Sequence, residues 1–515
     1  MALAIAIRAP AQQGGGGGGG PPPPGSFDFY ISTTGSDSNP GTLISPWALT
    51  AINSKRATYA GKKVGLLPGT YNCLLLIGGS YTGDFATPAF NIAGGTITAQ
   101  TVIAASQSDG TAFTGAPGFT AGVWNGPILS GSATSGNNTQ GQPLLGSIGN
   151  GSGGGVAGAG YITIDGLEMK GGFNRTLSIG GQTGNIPGTR TKGIIVQNNY
   201  AHGQTNSLTG ANSTAITIYA SDGAIVQNNR ITDLADTTSR ACGIEAWASI
   251  NTIVQYNTII STSNQHHGGI EFKNAAQNNN TIRYNYINLP FQDGSGGATT
   301  AIGGDSDGNG STTFAIKNNV VIADQGASAF IISTGAFPDS ANKQLWANNT
   351  FLGIPNNPVG CLSRFGAAAT ITIYNNIINR GTTGGRGDID VSTSSLAQID
   401  YNCYPAVPQL GLTVDHNGSA YPTSLTSSLA TWGTQVPSGC IGKDAHSATT
   451  NSPGFVGSGS EAAFYKLTPG STCSATGTKP GSSDGTTGGT PTDMGAWGGI
   501  DVNTGLAPAQ IGSNF

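Results

Sequence analysis

Between residues 195 and 404 the chain repeats one pattern of apolar and polar positions. "IVQNNYAHG" at 195–203 returns as "IVQNNRITD" at 225–233, "IVQYNTIIS" at 253–261, "TIRYNYINL" at 281–289 and "IYNNIINRG" at 373–381. Aligned on one asparagine, eight positions emerge: Asn199, Asn229, Asn257, Asn285, Asn319, Asn349, Asn376 and Asn402. The steps between them are 30, 28, 28, 34, 30, 27 and 26 residues. Three residues before each stands an apolar side chain: Val196, Val226, Val254, Ile282, Ile316, Trp346, Ile373 and Ile399. Two residues after it stands another in seven of the eight, from Ile231 to Tyr404, with Ala201 as the exception. A repeat of roughly 20 to 50 residues marks a stacked architecture.

The local pattern selects the kind of stack. "AITIY", "GIEAW" and "GIEFK" alternate inward and outward residues with the two-residue period of strands. No repeat holds an amphipathic helix of 10 or more residues, which argues against leucine-rich and helical repeats. A coil of short strands and turns, paired with its neighbours at a spacing of about 4.8 Å, is a parallel β-helix. The fold class expected is therefore all-β. The repeated asparagine has a structural reason. It tolerates the left-handed backbone of a sharp corner, and stacked asparagines hydrogen-bond along the axis. The segment 45–59 reads as a short amphipathic N-terminal helix capping the first coil, with "VGLLPGTYN" after it as the first strand and turn. "YITIDGLEM" at 161–169 is an early coil without the asparagine, and the stretches 131–160 and 173–190 read as protruding loops.

Composition narrows the function. Of 515 residues only 9% are charged and 83 are glycine, yet 37% are hydrophobic, enough for a sizeable core. The net charge is −4 and no basic run tracks a phosphate backbone, which argues against nucleic acid. No apolar stretch reaches the roughly 20 residues of a membrane span. The six cysteines form no C-x-x-C pair, against a zinc site. Cys440 and Cys473 flank a Gly/Ser-rich segment as a candidate disulfide, and Cys242 shares parity with Ile244, as a buried core thiol would. "MALAIAIRAPAQQ" lacks the basic start of an export signal and precedes "GGGGGGGPPPPG". Residues 1–25 read as an anchor peptide and linker, with a disordered tail as the alternative.

The opening "FYISTTGSDSNPGT…SPWALTAI…AGKKVGLLPGTYN", the "NNTIRYNYI"-type repeats and the ending "NSPGFVG…YKLTPGS…PTDMGAW" resemble bacterial and phage proteins of the pectate-lyase-like superfamily. The resemblance covers roughly residues 27 to 500. It implies a right-handed parallel β-helix that binds sugar along a lateral face. That superfamily includes lyases, hydrolases and tailspikes, so the resemblance specifies a fold more than a reaction.

Strand parity shows what such a face offers. With Ile216, Ile244, Ile270 and Ile302 inward, Thr217, Glu245, Glu271 and Gly303 form one outward row. Tyr219, Trp247, Lys273 and Asp305 form a second, and Asn212, Arg240 and His266 lie in the entering turn. These registers assume unbroken alternation. The candidate catalytic residues are Glu245, Glu271, Lys273, Arg240 and His266, and the candidate substrate contacts are Trp247, Tyr219 and Asp305. Two glutamates one coil apart suit a retaining hydrolase, whose carboxyl groups stand about 5 to 5.5 Å apart. In a lyase, Lys273 or His266 would be the base and Arg240 would neutralise a uronate. "GIEFKNAAQNNNTIRYN" resembles the lysine-bearing strand of alginate- and chondroitin-type lyases, but their arginine on the following coil is absent from "AIGGDSDG". The bland alternative is a solvated face with a Glu271–Lys273 salt bridge. No cofactor is expected, with Ca²⁺ at Asp305, Asp307 and Asn309 as the alternative.

The chain then divides into residues 1–25, a β-helix over 26–430 and a closing segment over 431–515. The leading expectation is a phage tail-spike or tail-fibre-like homotrimer, on a virion tail or extracellular. It would bind host surface polysaccharide, with depolymerisation a further expectation and tail proteins as partners of its N-terminus. The alternatives are a secreted bacterial polysaccharide lyase or glycoside hydrolase, and a noncatalytic adhesin or filament subunit.

Overall fold

The computed structural model describes residues 27–473 apart from several interior stretches, the longest being 324–342, 414–425 and 456–466. Short strands wind into one right-handed parallel β-helix. Two long sheets hold twelve strands each among the described residues. The first runs from Phe29–Ile31 to Leu396–Asp400, the second from Gly69–Asn72 to Ala448–Thr449. The third sheet holds seven: Phe90–Asn91, Leu145–Gly149, Arg175–Gly181, Ser213–Tyr219, Ala241–Trp247, Gly268–Lys273 and Thr300–Asp305. Neighbouring strands run parallel, one coil apart. Among the described residues no helix is long and apolar enough to cross a membrane.

The apolar rows point inward as their spacing predicts. The row from Val196 to Ile399 lines the first sheet, and the row from Ala201 to Tyr404 lines the second; both are buried throughout. Each large aliphatic side chain so buried contributes about 1.5–3 kcal/mol.

The eight asparagines form one continuous ladder. From Asn199 to Asn402, each side-chain amide donates to Oδ1 of the next at 2.9–3.1 Å. The same oxygen also accepts the backbone N–H of the previous asparagine. The second amide hydrogen goes back to a carbonyl such as that of Val196 or Val226, so the buried amide is fully used. The left-handed corner, however, is not made by these asparagines. It falls one residue earlier, at Asn198, Asn228, Tyr256, Tyr284, Asn318, Asn348, Asn375 and Tyr401, all with φ between 52° and 56°. The corner residue turns the chain, and its neighbour is thereby free to aim its amide along the axis.

A second ladder on the outside of the first sheet runs the opposite way. Gln255 donates to Gln227, Gln227 to Gln197, and Gln197 to Asp165. Asn228 donates to Asn198, which donates to the other oxygen of Asp165. Each ladder therefore ends on a carboxylate as its last acceptor: Asp165 for the outer one and Asp444, which accepts from Asn402, for the inner one.

Four further expectations need correction. The 45–59 helix is two separate turns, Ala51–Ser54 and Arg56–Tyr59, because Trp47 pairs with the first strand and Ser45 with Thr42 instead. Ala51, Ile52 and Tyr59 still close the first end of the core. The stretches 131–160 and 173–190 are not loops throughout, since each contributes a strand to the third sheet. Glycine hides these strands, yet a Cβ at Gly146 would lie 1.9 Å from the Ser178 carbonyl oxygen, so close pairing requires it. The disulfide joins Cys403 to Cys473, while Cys440 is a free buried thiol. The closing segment returns over the outside of the second sheet, where Leu467 and Phe455 pack near Ile377, Tyr401 and Cys403. The fourth correction, the position of Cys242, belongs to the candidate site below.

Candidate functional site

The candidate patch lies on the outer face of the third sheet. Its register is the one parity predicts. Thr217, Glu245, Glu271 and Gly303 are successive partners, and so are Tyr219, Trp247, Lys273 and Asp305. Upstream the alternation breaks. Ala215, Gly243, Gly269 and Ala301 turn inward immediately before the inward isoleucines. Two inward residues in succession leave room only for a small first one, as a Cβ at Gly243 would meet Ile259. The break rotates the preceding position outward. Thr214 Oγ1 hydrogen-bonds Thr217 Oγ1, and a Cβ at Gly268 would lie 3.0 Å from Glu271 Oε1 and 3.2 Å from Cys242 Sγ. Cys242 is thus buried on the outer face beside Glu271 and not in the core. The recurring small residue before each isoleucine was the readable signal of this break.

Lys273 binds the two carboxylates together. Its Nζ lies 2.6 Å from Glu245 Oε1 and 3.0 Å from Glu271 Oε2. Two oxygens so close to one nitrogen stand no more than about 6 Å apart, within reach of the retaining spacing and short of the inverting one. The Glu271–Lys273 bridge expected of a solvated face is present, but the face is not solvated. Glu245 is 0% exposed, Glu271 4% and Lys273 8%. Burial works against the lysine's charge, but Glu271 and Glu245 outweigh it and hold the ammonium above the usual lysine range. With both carboxylates in place Lys273 is a fixed cation, not a ready base.

Aromatic rings continue the site. The Tyr219 and Trp247 ring centroids are 5.9 Å apart, and Lys273 Nζ stands 5.7 Å from the Trp247 ring. On the other side Arg175 stands 5.7 Å from the Tyr219 ring. Sequence reasoning missed Arg175 because it falls in a stretch read as a loop. Burial raises the Cys242 thiol well above its ordinary range, with Glu271 and Glu245 adding to it, so it is no nucleophile.

The remaining candidates are not brought into this geometry. Arg240, His266, Asp307 and Asn309 lie outside the described residues, and so does the side chain of Asp305, whose backbone pairs with Lys273. Among the described residues no group of three or more His, Cys, Asp or Glu side chains is arranged to hold a metal ion.

No family model and no curated protein matches the chain. Solved structures do. A pectate lyase, Pel9A, aligns over 91% of this chain and 95% of its own with a TM-score of 0.51 and 16% identity. A rhamnogalacturonan lyase aligns over 70% and 83% with a TM-score of 0.38 and 14% identity. A lacto-N-biosidase from Eubacterium ramulus aligns over 64% of each chain with a TM-score of 0.34 and 12% identity. Likeness at these identities speaks to architecture, and the first of them spans nearly the whole of both chains. The chain is a right-handed parallel β-helix protein with the pectate-lyase-like fold.

Proposed function

We propose that this protein is a carbohydrate-active β-helix enzyme that cleaves a polysaccharide across the third sheet. One observation carries the reading: a desolvated Glu245–Lys273–Glu271 triad on two neighbouring strands of that sheet, in a chain with few charges. Apolar residues of the same size would serve stability as well or better, so a retained buried ion group points to function. The spacing favours hydrolysis. Glu245 and Glu271 are the reacting carboxylates, Lys273 fixes their positions, and Trp247 and Tyr219 offer rings to the sugar. β-Elimination is the competing chemistry and requires Lys273 to give up its proton.

The test is incubation of the full chain with a panel of neutral and acidic polysaccharides. New reducing ends without an unsaturated product support hydrolysis. Reducing ends with ultraviolet absorbance of an unsaturated uronate would replace it by a lyase. Glycan binding without cleavage would leave the noncatalytic adhesin.

The finer reading is a tail-spike-like attachment protein on a virion, built as a homotrimer. It rests on the anchor-like sequence of residues 1–25, which lies outside the described residues. Light scattering tests it: a monomer removes the tail-spike and leaves a secreted enzyme.

A further inference from the structure

The outer face of the third sheet has little positive charge to spare. Along one outward row Gly146, Ser178 and Thr217 come before Glu245 and Glu271, and Gly303 comes after them. The floor on both sides of the triad is therefore small and uncharged. Within the triad one ammonium is shared between two carboxylates, at 2.6 and 3.0 Å. Among the described residues of this face the other cation is Arg175, which is 6% exposed and lies against the Tyr219 ring.

The hydrogen bonding of the same face is incomplete. Glu245 Oε2, an acceptor, and Trp247 Nε1, a donor, are buried and have no hydrogen-bond partner. The two residues stand two apart on one strand and so share the outer face. A buried polar atom left unmatched is costly, so a donor and an acceptor left open side by side mark where a ligand's own hydrogen bonds would go. A sugar hydroxyl both donates and accepts, and so matches either atom. A uronate carboxylate only accepts. It could take the indole N–H, but it would set a third carboxylate against Glu245 and Glu271, whose one ammonium is already shared.

We propose that the third sheet takes an uncharged polysaccharide, recognised through its hydroxyl groups by Glu245 and Trp247, and that it rejects polyuronates. The proposal rests on the carbohydrate-active reading of this site and adds the class of sugar. Trp247 then has two tasks: its ring meets the apolar side of a pyranose, and its N–H reads a hydroxyl. A neutral chain also has no carboxylate to neutralise, so the second cation that β-elimination would demand is not needed.

Matched polymers test this with the full chain: several polyuronates, and the same polymers with each carboxylate reduced to a primary alcohol. Binding is measured by calorimetry at low and at high salt, and cleavage by new reducing ends. Neutral members should bind at least about tenfold tighter than their acidic parents, with no dependence on salt. Trp247→Phe keeps a ring and removes the N–H, and should weaken that binding by about tenfold. Tighter binding of an acidic parent, weakened by salt, overturns the proposal. So does failure of every neutral member to bind, or unchanged binding by W247F. Selective binding of neutral members without cleavage keeps this inference and ends the enzymatic reading. Cleavage confined to the acidic parents does the reverse. Should W247F not fold, the wild-type comparison alone decides.

Discussion

Asn229 donates its side-chain amide to Oδ1 of Asn257 at 2.9 Å and its backbone N–H to the same oxygen at 3.0 Å. One oxygen therefore satisfies two buried donors of the coil before it. Asn257→Ala should strand both. At about 1–3 kcal/mol for each unmatched buried group, the loss is roughly 2–6 kcal/mol, read as a lower denaturation midpoint. An unchanged midpoint would mean that the ladder is decoration on a core stable without it.

Lys273 is the next place to press. Removing it as Lys273→Met leaves two buried carboxylates facing each other and should cost roughly 3–5 kcal/mol. Replacing all three partners by apolar residues of similar size, as Glu245→Met, Glu271→Met and Lys273→Met together, should return stability to within about 1 kcal/mol of wild type. The comparison, by chemical denaturation, separates what the triad does for stability from what it does for chemistry. Because the triad is buried, single changes here cost stability as well as any activity.

Activity gives the complementary reading. Glu271→Gln keeps the side-chain shape, and on the proposed hydrolysis it should lower turnover by about 10²–10⁴-fold. Retained binding of the glycan, measured on the same variant, would place the loss in the chemical step. Undiminished turnover would remove Glu271 from the reaction.

The disulfide closes a separation of 70 residues. Cys403→Ser should destabilise the C-terminal end by about 4 kcal/mol on a chain-entropy reckoning. Limited proteolysis with and without reductant checks this, with cleavage expected first in the closing segment of the reduced chain.

The sequence made the stack legible because its period is carried by large side chains at fixed offsets. Val226, Val254 and Ile282 declare their coil positions without help from any neighbour. The corners were read one residue late. Asn228 and Asn229 look alike as letters, and only the backbone separates the residue that bends from the residue that bonds. Cys242 was misplaced for a related reason. A two-residue alternation has no memory of a slip, so one inward pair at Gly243 and Ile244 inverts everything before it. Burial of Glu245 was not legible either, since a charged residue on an outward row is ordinarily wet. Arg175 escaped notice because glycine-rich strands carry almost no local propensity and are made by pairing with their neighbours.

The two amide ladders have a consequence for how such a rod varies in length. Each is a one-way street with a carboxylate at its far end and identical rungs between. Adding or deleting a whole turn, such as residues 226–253, would leave the inner asparagine ladder and the outer glutamine row chemically the same at each junction and both ends still matched. A partial turn would put an unlike group on every rung beyond it. Evolution, or a designer, can therefore lengthen this molecule in units of one winding while its two end pieces remain unaltered.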